Sequence, residues 1–144
     1  MKKATIIYWS GTGNTEMMAN AIAEGVKSSG IDVEVVRVEN ANKDMVINSE
    51  ILAFGCPSMG AEVLEEEFME PFIESLSDVD FSGKKVALFG SYDWGDGEWM
   101  RNWVARMKEY GANLVDEEGL IIRLTPDEEG INNCKALGER LAKE

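Results

Sequence analysis

The chain has 144 residues, of which 44% are hydrophobic and 28% charged, and its formal net charge is −13. This length favours one compact domain spanning residues 1–144, because two domains of ordinary size need a longer chain. The sequence contains no histidine, which excludes serine–histidine–aspartate triads, cysteine–histidine pairs and histidine-ligated metals. The strong negative charge argues against binding to nucleic acid or to an anionic membrane, and it allows docking onto basic protein surfaces.

The cysteines and the start of the chain indicate a cellular compartment. Cys56 and Cys134 are far apart and form no CxxC motif, so we expect buried free thiols and no metal site. The basic start of the chain resembles a signal peptide, but the apolar run behind it stops at Ser10, which is too early. No segment approaches transmembrane length. The sequence therefore predicts a soluble, cytoplasmic protein.

Short apolar strands alternate with amphipathic helices along the chain. Strands are predicted at Ala4–Tyr8, Val33–Val38, Ile51–Gly55 and Val86–Gly90, with a last strand supplied by Leu114–Val115 and Leu120–Ile122. The second of these alternates apolar with charged residues, which is typical of a strand near a sheet edge. The third and fourth are continuously apolar, as strands covered on both faces require.

The segments between these strands carry helical signals. Apolar stripes are formed by Met18, Ile22 and Val26 before Gly30, by Phe68, Phe72 and Leu76 with Pro71 in the first turn, and by Trp99, Trp103 and Met107 before Gly111. The segment Thr125-Pro126-Asp127-Glu128 has the pattern of a capping box and predicts the start of a final helix at Thr125. The alternation of strands and helices requires a mostly parallel sheet with helices on both faces.

A sheet of this kind binds ligands beyond the carboxyl ends of its strands, where the strand order reverses. The segments that follow strands one, three and four are therefore the candidate site. They run over residues 9–15, 56–62 and 91–97, and all three are rich in glycine, hydroxyl groups and aromatic or sulfur-containing side chains.

The first of these segments resembles an anion cradle. Its members are Ser10, Gly11, Thr12, Gly13, Asn14 and Thr15. The glycines permit a tight turn that presents backbone N–H groups, and the following helix adds the positive end of its dipole. The hydroxyl and amide side chains can donate to phosphate oxygens. A nucleotide-hydrolysing P-loop needs a lysine that is absent here, which indicates a phosphate that is held and not transferred. A plain glycine-rich turn with capping hydroxyls is the alternative.

The other two segments offer surfaces for a flat ring. The second contains Ser58, Met59, Gly60, Ala61 and Glu62, and the third contains Ser91, Tyr92, Asp93, Trp94 and Gly95. A methionine is polarizable, a glutamate accepts from a ring N–H, and a tryptophan between turn residues favours stacking. The alternative is that both segments are ordinary exposed turns. Trp99 and Trp103 have helical spacing, and we expect them to pack in the core.

Together the three motifs resemble the short-chain flavodoxins of anaerobic, clostridia-like bacteria, over essentially the whole length of the chain. The resemblance implies an α/β, doubly wound five-stranded parallel sheet of order 2-1-3-4-5 and one FMN bound without a covalent bond. It implies that Ser10 to Thr15 hold the phosphate, and that Met59 and Trp94 lie against opposite faces of the ring. It also implies that Glu62 contacts ring N3–H and that the Gly60 carbonyl turns towards N5–H in the semiquinone. Ser91, Tyr92 and the Asp93 backbone then meet the ribityl and pyrimidine side.

Two residues depart from the family pattern. Asp93 stands where such sequences commonly have glycine, and Ala61 stands where glycine followed by aspartate or serine is usual. The additional carboxylate at Asp93 bears on redox tuning near flavin N1. No long insertion splits the last strand, as in the short-chain class.

The function implied is low-potential one-electron transfer by a monomeric, non-enzymatic carrier. Its partners would be redox enzymes with basic docking patches, such as reductases and oxidoreductases that also use ferredoxin. A flavodoxin-fold quinone or small-molecule reductase is the main alternative, and it would need room for substrate above the flavin. A ribonucleotide-reductase-activating flavodoxin differs mainly in its partner. A signalling receiver domain would need an acidic pair after strand one, where Trp9 and Ser10 stand.

Overall fold

The protein is described by a computed structural model that covers residues 2–143, so the first and last residues of the predicted domain lie outside the described residues. Five parallel strands form one sheet of order β2-β1-β3-β4-β5, which confirms the expected fold. The strands are β1 Ala4–Tyr8, β2 Val33–Arg37, β3 Ile51–Gly55, β4 Lys85–Tyr92 and β5 Leu120–Arg123. The helices are α1 Asn14–Lys27, α2 Lys43–Ile47, α3 Met69–Glu74, α4 Glu98–Glu109 and α5 Glu128–Ala142.

The sheet has a separate apolar core on each of its two faces. On one face, Ile6 of β1 packs in a cluster with residues of α1 and α5. On the other face, Ile7 packs in a cluster with residues of α2, α3 and α4, including the buried Trp99 and Trp103. Because neighbouring residues of a strand face opposite sides, the continuous apolar sequence of β1 supplies both cores.

The strand predictions are accurate for β1 and β3 and less accurate elsewhere, since β2 ends one residue earlier than predicted and β4 extends one residue before and two residues after the predicted 86–90. β1 and β3 have the predicted bounds, and both are buried along their whole length, whereas β2 is a half-buried edge strand. The last strand is interrupted. Leu114 forms only an isolated bridge to Val86, and β5 begins at Leu120 after a turn. Short α2 was not predicted from the sequence, because its five residues are too few to show a helical period.

The predicted stripe of Phe68, Phe72 and Leu76 is partly wrong: Leu76 is buried and Phe72 packs against the core, but Phe68 does not. The buried side of this segment is formed by Met69, Ile73 and Leu76, while the Phe68 side chain is 40% exposed. The Glu65 carboxylate accepts from the backbone N–H groups of residues 67, 68 and 69 at 2.8–2.9 Å, so the helix begins after Phe68. Pro71 lies in the first turn, as predicted.

The predicted start of the last helix at Thr125 is also wrong. The N-cap is Asp127, which adopts an extended backbone and accepts from Gly130 N at 2.8 Å. An ionised aspartate satisfies the first helical N–H groups and the helix dipole better than a threonine hydroxyl. Within residues 2–143, none of the helices combines the length and the apolar composition needed to cross a membrane.

Candidate functional site

A cleft of about 260 Å³ lies at the carboxyl ends of β1, β3 and β4. Ten of the residues predicted from sequence line it, namely Ser10, Gly11, Thr12, Asn14, Thr15, Ser58, Met59, Ser91, Tyr92 and Asp93. Six predicted residues do not belong to its lining, namely Gly13, Gly60, Ala61, Glu62, Trp94 and Gly95. Three further residues line it that were not named as cofactor contacts, namely Trp9 and Pro57 within the candidate segments and Leu124 outside them. The first two adjoin the predicted motifs, and only the fold brings Leu124 to the cleft.

The loop between β1 and α1 presents free backbone donors to this cleft. Ser10 Oγ accepts from Gly13 N at 3.1 Å and from Glu16 N at 3.3 Å, and Gly13 has a φ of +97°. Among residues 2–143, the N–H groups of residues 11, 12, 14 and 15 have no hydrogen-bond acceptor. The hydroxyl of Ser10 thus holds the loop in shape and keeps its own hydrogen for a ligand. A helix N-terminus with several free N–H groups attracts an anion.

The first and third segments are joined by a buried hydrogen bond. The hydroxyl oxygens of Thr15 and Ser91 are 2.9 Å apart, and both side chains are buried. Ser58 N donates to Ser91 O at 3.0 Å, which ties the second segment to the third. Hydrogen bonds therefore connect the three predicted segments to one another at the cleft.

The structure places a cation behind the anion cradle, where the sequence showed none. Arg37 Nη2 donates to Ser10 O at 2.9 Å, and the guanidinium lies 5.5 Å from the centre of the Tyr8 ring. The Tyr8 hydroxyl donates to Glu16 Oε2 at 2.9 Å, and burial together with this carboxylate raises the pKa of Tyr8. Because Arg37 pairs with Tyr8 in adjacent parallel strands, its position beside the loop follows from strand order and not from sequence distance.

The second segment forms a small hairpin at residues 59–63. Met59 and Val63 exchange two backbone hydrogen bonds, each of 2.9 Å, around a three-residue tip. Gly60 has a φ of +48° and Glu62 a φ of +56°. The tip is exposed at Gly60, where an added Cβ would contact nothing within 4 Å.

The Glu62 carboxylate links this hairpin to α4. Its Oε1 accepts from Glu98 N in the first turn of that helix at 3.0 Å. A Cβ on Gly95 would lie 2.6 Å from the Glu62 Cδ, so only glycine leaves room for the carboxylate. The structure thus holds the Glu62 carboxylate on the first turn of α4, outside the cleft lining, and its contact with ring N3–H stays a prediction.

A buried thiol connects the two ends of the segment that contains this hairpin. Cys56 Sγ accepts from Glu65 N at 3.3 Å, and burial raises the pKa of this thiol to about 12. Burial likewise raises the pKa of Cys134 to about 12. Both thiols are buried and free, as predicted, and at neutral pH both are protonated and unreactive.

The two kinds of tryptophan behave as the sequence suggested. Trp99 and Trp103 are 2% and 1% exposed, and Trp99 Nε1 donates to Cys56 O at 3.0 Å. Trp94 is 60% exposed, so its side chain is not folded back into the core. Its stacking on a ring stays a prediction.

The acidic residues around the cleft fall into two groups. Glu62 and Glu65 accept backbone N–H groups, and Asp96 pairs with Arg101 at 3.0 Å. Glu66, Glu67 and Asp93 are exposed. Asp96 is itself exposed, so Glu66, Glu67, Asp93 and Asp96 together form a solvated acidic rim beside the cleft segments.

The residues present fit a phosphate-bearing cofactor with a flat ring. Free N–H groups and hydroxyls at one end of the cleft suit the phosphate, and Met59, Pro57 and Tyr92 offer less polar surfaces at the other. Within the described part of the chain, no group of three or more cysteine, histidine or carboxylate side chains could hold a metal ion.

Comparison with known proteins gives a consistent result. A family model described as flavodoxin matches residues 6–138. The chain is 53% identical to a flavodoxin of Clostridium beijerinckii over 137 residues, which cover 95% of this chain and 97% of that protein. It is 49% identical to a flavodoxin of Megasphaera elsdenii, over 96% and 97% of the two chains. The solution structure of two-electron reduced Megasphaera elsdenii flavodoxin superposes with a TM-score of 0.85 at 45% identity, covering 98% of this chain and 99% of that one.

Proposed function

The chain belongs to the flavodoxin family, whose members carry electrons between redox enzymes and are not themselves enzymes, and we propose that it does so with one FMN bound non-covalently in the cleft. The observation that carries the choice of FMN is the set of free N–H groups at residues 11, 12, 14 and 15 beside the N-terminus of α1. Such a cradle is useful only for a flavin that bears a phosphate.

The bound flavin would supply one-electron chemistry, and the protein would supply binding, orientation and electrostatics. Ser10, Thr12 and Thr15 would donate hydroxyl hydrogen bonds to the phosphate, with Arg37 behind them to hold the Ser10 carbonyl in place. The expected roles of Met59 and Trp94 at the ring faces and of Glu62 at N3–H belong to this proposal. Glu62 lies outside the cleft lining with one carboxylate oxygen bonded to Glu98 N at 3.0 Å, so this role would require its other oxygen to reach the ring.

The exposed carboxylates of Glu66, Glu67 and Asp93 would meet basic patches on partner enzymes. A carrier of this kind would be a single-domain, cytoplasmic monomer that presents one flavin edge to each partner in turn. The quinone-reductase alternative gains no support, because no observation in the cleft favours a substrate site over the cofactor.

The test is a comparison of FMN with riboflavin as ligands of the apoprotein, measured by quenching of flavin fluorescence. FMN should bind far more tightly, and Thr12→Ala should weaken FMN alone by about 1.5–3 kcal/mol through loss of one charge-assisted bond. Ser77→Ala, which removes an exposed hydroxyl between α3 and β4 and outside the cleft lining, is the matched control. Equal affinities for FMN and riboflavin would refute the cradle, and an apoprotein that binds neither would refute a flavin cofactor.

A further inference from the structure

Two residues other than glycine have a positive φ in residues 2–143, namely Glu62 in the hairpin of the second segment and Leu124 in the cleft lining. Glu62, with a φ of +56°, holds its carboxylate on the first turn of α4, which accounts for its conformation. Leu124, with a φ of +61°, has an apolar side chain that makes no such bond. The left-handed conformation disfavours a residue with a Cβ over glycine about five- to thirtyfold in population. A strained leucine therefore needs a reason.

The backbone around Leu124 is firmly tied to the third cleft segment. Its N–H donates to Tyr92 O at 2.7 Å, and Arg123 Nε donates to Asp93 O at 3.1 Å. These bonds extend the pairing of β4 with β5 one residue past its last pair. They hold Leu124 at a fixed place beside Tyr92 and Asp93, but a glycine or an asparagine there would make the same backbone bond with less strain.

The side chain of Leu124 is not explained by packing within the protein. It is 45% exposed and belongs to neither apolar core, yet it lines the cleft. A large apolar side chain that is exposed, strained and placed in a concave site is a typical ligand contact.

We propose that Leu124 is a cofactor-contacting residue that closes the cleft over the part of the flavin lying along Ser91–Asp93. On the proposed function, on which this inference rests, that part is the ribityl chain and the pyrimidine edge. The strain is retained because it directs a leucine side chain into the cleft, where it removes apolar surface from water and shields the neighbouring backbone bonds.

This placement makes a distinctive prediction, because FMN and riboflavin share the ribityl chain and the ring. Leu124→Ala should weaken the binding of both ligands by the same factor, about fivefold for partial burial of one leucine. A defect in the phosphate cradle, such as Thr12→Ala, should weaken only FMN. The ratio of the two affinities thus separates a ring or ribityl contact from a phosphate contact.

Leu124→Gly tests the strain independently. Alanine and glycine both lack the leucine side chain and differ only in the Cβ. The two variants should therefore bind flavin with equal affinity. The folding equilibrium constant of the glycine apoprotein should be about fivefold larger than that of the alanine apoprotein. Leu124→Met should keep the affinity, because methionine fills similar apolar volume.

The experiment is fluorescence titration of each apoprotein with FMN and with riboflavin, together with urea unfolding of the ligand-free proteins. Ile47→Ala is the matched control, since Ile47 is 48% exposed and lies at the end of α2, outside the cleft lining. Unchanged affinities in Leu124→Ala, or a loss confined to FMN, would overturn the inference while leaving the proposed function intact. A wild-type apoprotein that binds neither ligand would instead remove the proposed function.

Discussion

The crossing of α1 and α5 and the rim of the cleft both depend on glycine, but for opposite reasons. At the crossing, Gly25 and Gly138 let two helices touch, because an added Cβ on either would lie 2.1 Å from a carbonyl oxygen of the other helix. In the loops beside the cleft, Gly60 and Gly95 have positive φ. An added Cβ would meet nothing within 4 Å at Gly60, whereas at Gly95 it would meet the Glu62 carboxylate. Glycine thus supplies space in the scaffold and backbone conformation in the site.

The crossing should be the most sensitive point of the scaffold. Gly138→Ala places a methyl group against the Ile22 carbonyl, which cannot move without shifting the α1 backbone. We expect a loss of about 3 kcal/mol in the free energy of unfolding, measured by urea denaturation of the apoprotein.

Gly130→Ala in the same helix is the matched control. Its added Cβ would meet the flexible end of the Ile122 side chain at 3.0 Å and the side-chain oxygen of Asp127 at 3.3 Å, and no backbone of another helix, so we expect a change below about 1 kcal/mol. Equal losses at the two positions would show that space between the backbones is not what the crossing requires.

Gly95→Ala should combine both effects at the rim. A residue with a Cβ is strained at the φ of +92° found there, and the Cβ would also displace the Glu62 carboxylate from Glu98 N. We expect a cost of about 2 kcal/mol in unfolding free energy.

Gly83→Ala isolates the conformational part of that cost. Gly83 has a φ of +76° with nothing within 4 Å of an added Cβ, so the cost should be about 1 kcal/mol. Matching losses in the two variants would mean that the carboxylate contact at Gly95 adds nothing.

Gly60→Ala should act on electron transfer more than on folding. If the peptide at Gly60 must change its orientation when the flavin is reduced, a Cβ penalises one arrangement by about 1 kcal/mol. The separation between the two one-electron potentials should then narrow by on the order of 40 mV, measured by spectroelectrochemistry. Gly83→Ala, remote from the cleft, should leave the separation as it is. An unchanged separation in both variants would exclude this glycine as its source.

Taken one at a time, the exposed carboxylates of the rim should give the smallest effect. At about 10 Å and an effective dielectric of about 40, each repels an added electron by roughly 0.8 kcal/mol, or on the order of 35 mV. Asp93→Asn with Glu66→Gln should raise the lower potential and flatten the salt dependence of electron transfer to a basic reductase.

The control is Asp32→Asn with Glu34→Gln, which also removes two negative charges. Asp32 directly precedes β2 and Glu34 lies in it, and neither residue lines the cleft. If this remote pair shifts the potential and the salt slope equally, then net charge and not the rim is responsible. Comparing the two double variants therefore shows whether carboxylates near the cleft have an effect on potential and salt dependence beyond that of total negative charge.

Much of the site could be predicted from local sequence. The glycine and hydroxyl residues between β1 and α1 predict an anion cradle because short-range turn chemistry and a helix N-terminus form within six residues. The apolar run of β3 predicts a central strand for the same local reason, and its bounds are confirmed. The start of α5 was misplaced because the Asp127 carboxylate caps the helix, and Phe68 was wrongly placed on the buried side of α3 because the Glu65 carboxylate sets where that helix begins.

The sequence by itself determined the alternation of strands and helices, the cradle loop and the residue types of the three cleft segments. Only the tertiary structure decided that Arg37 stands behind the cradle, that Glu62 binds the first turn of α4, and that Leu124 enters the cleft. These contacts join residues 27 to 36 positions apart, or bring a distant strand end to the site. Sequence periodicity reports which face of an element is buried, but a contact between elements depends on strand order and register, which form only when the sheet assembles.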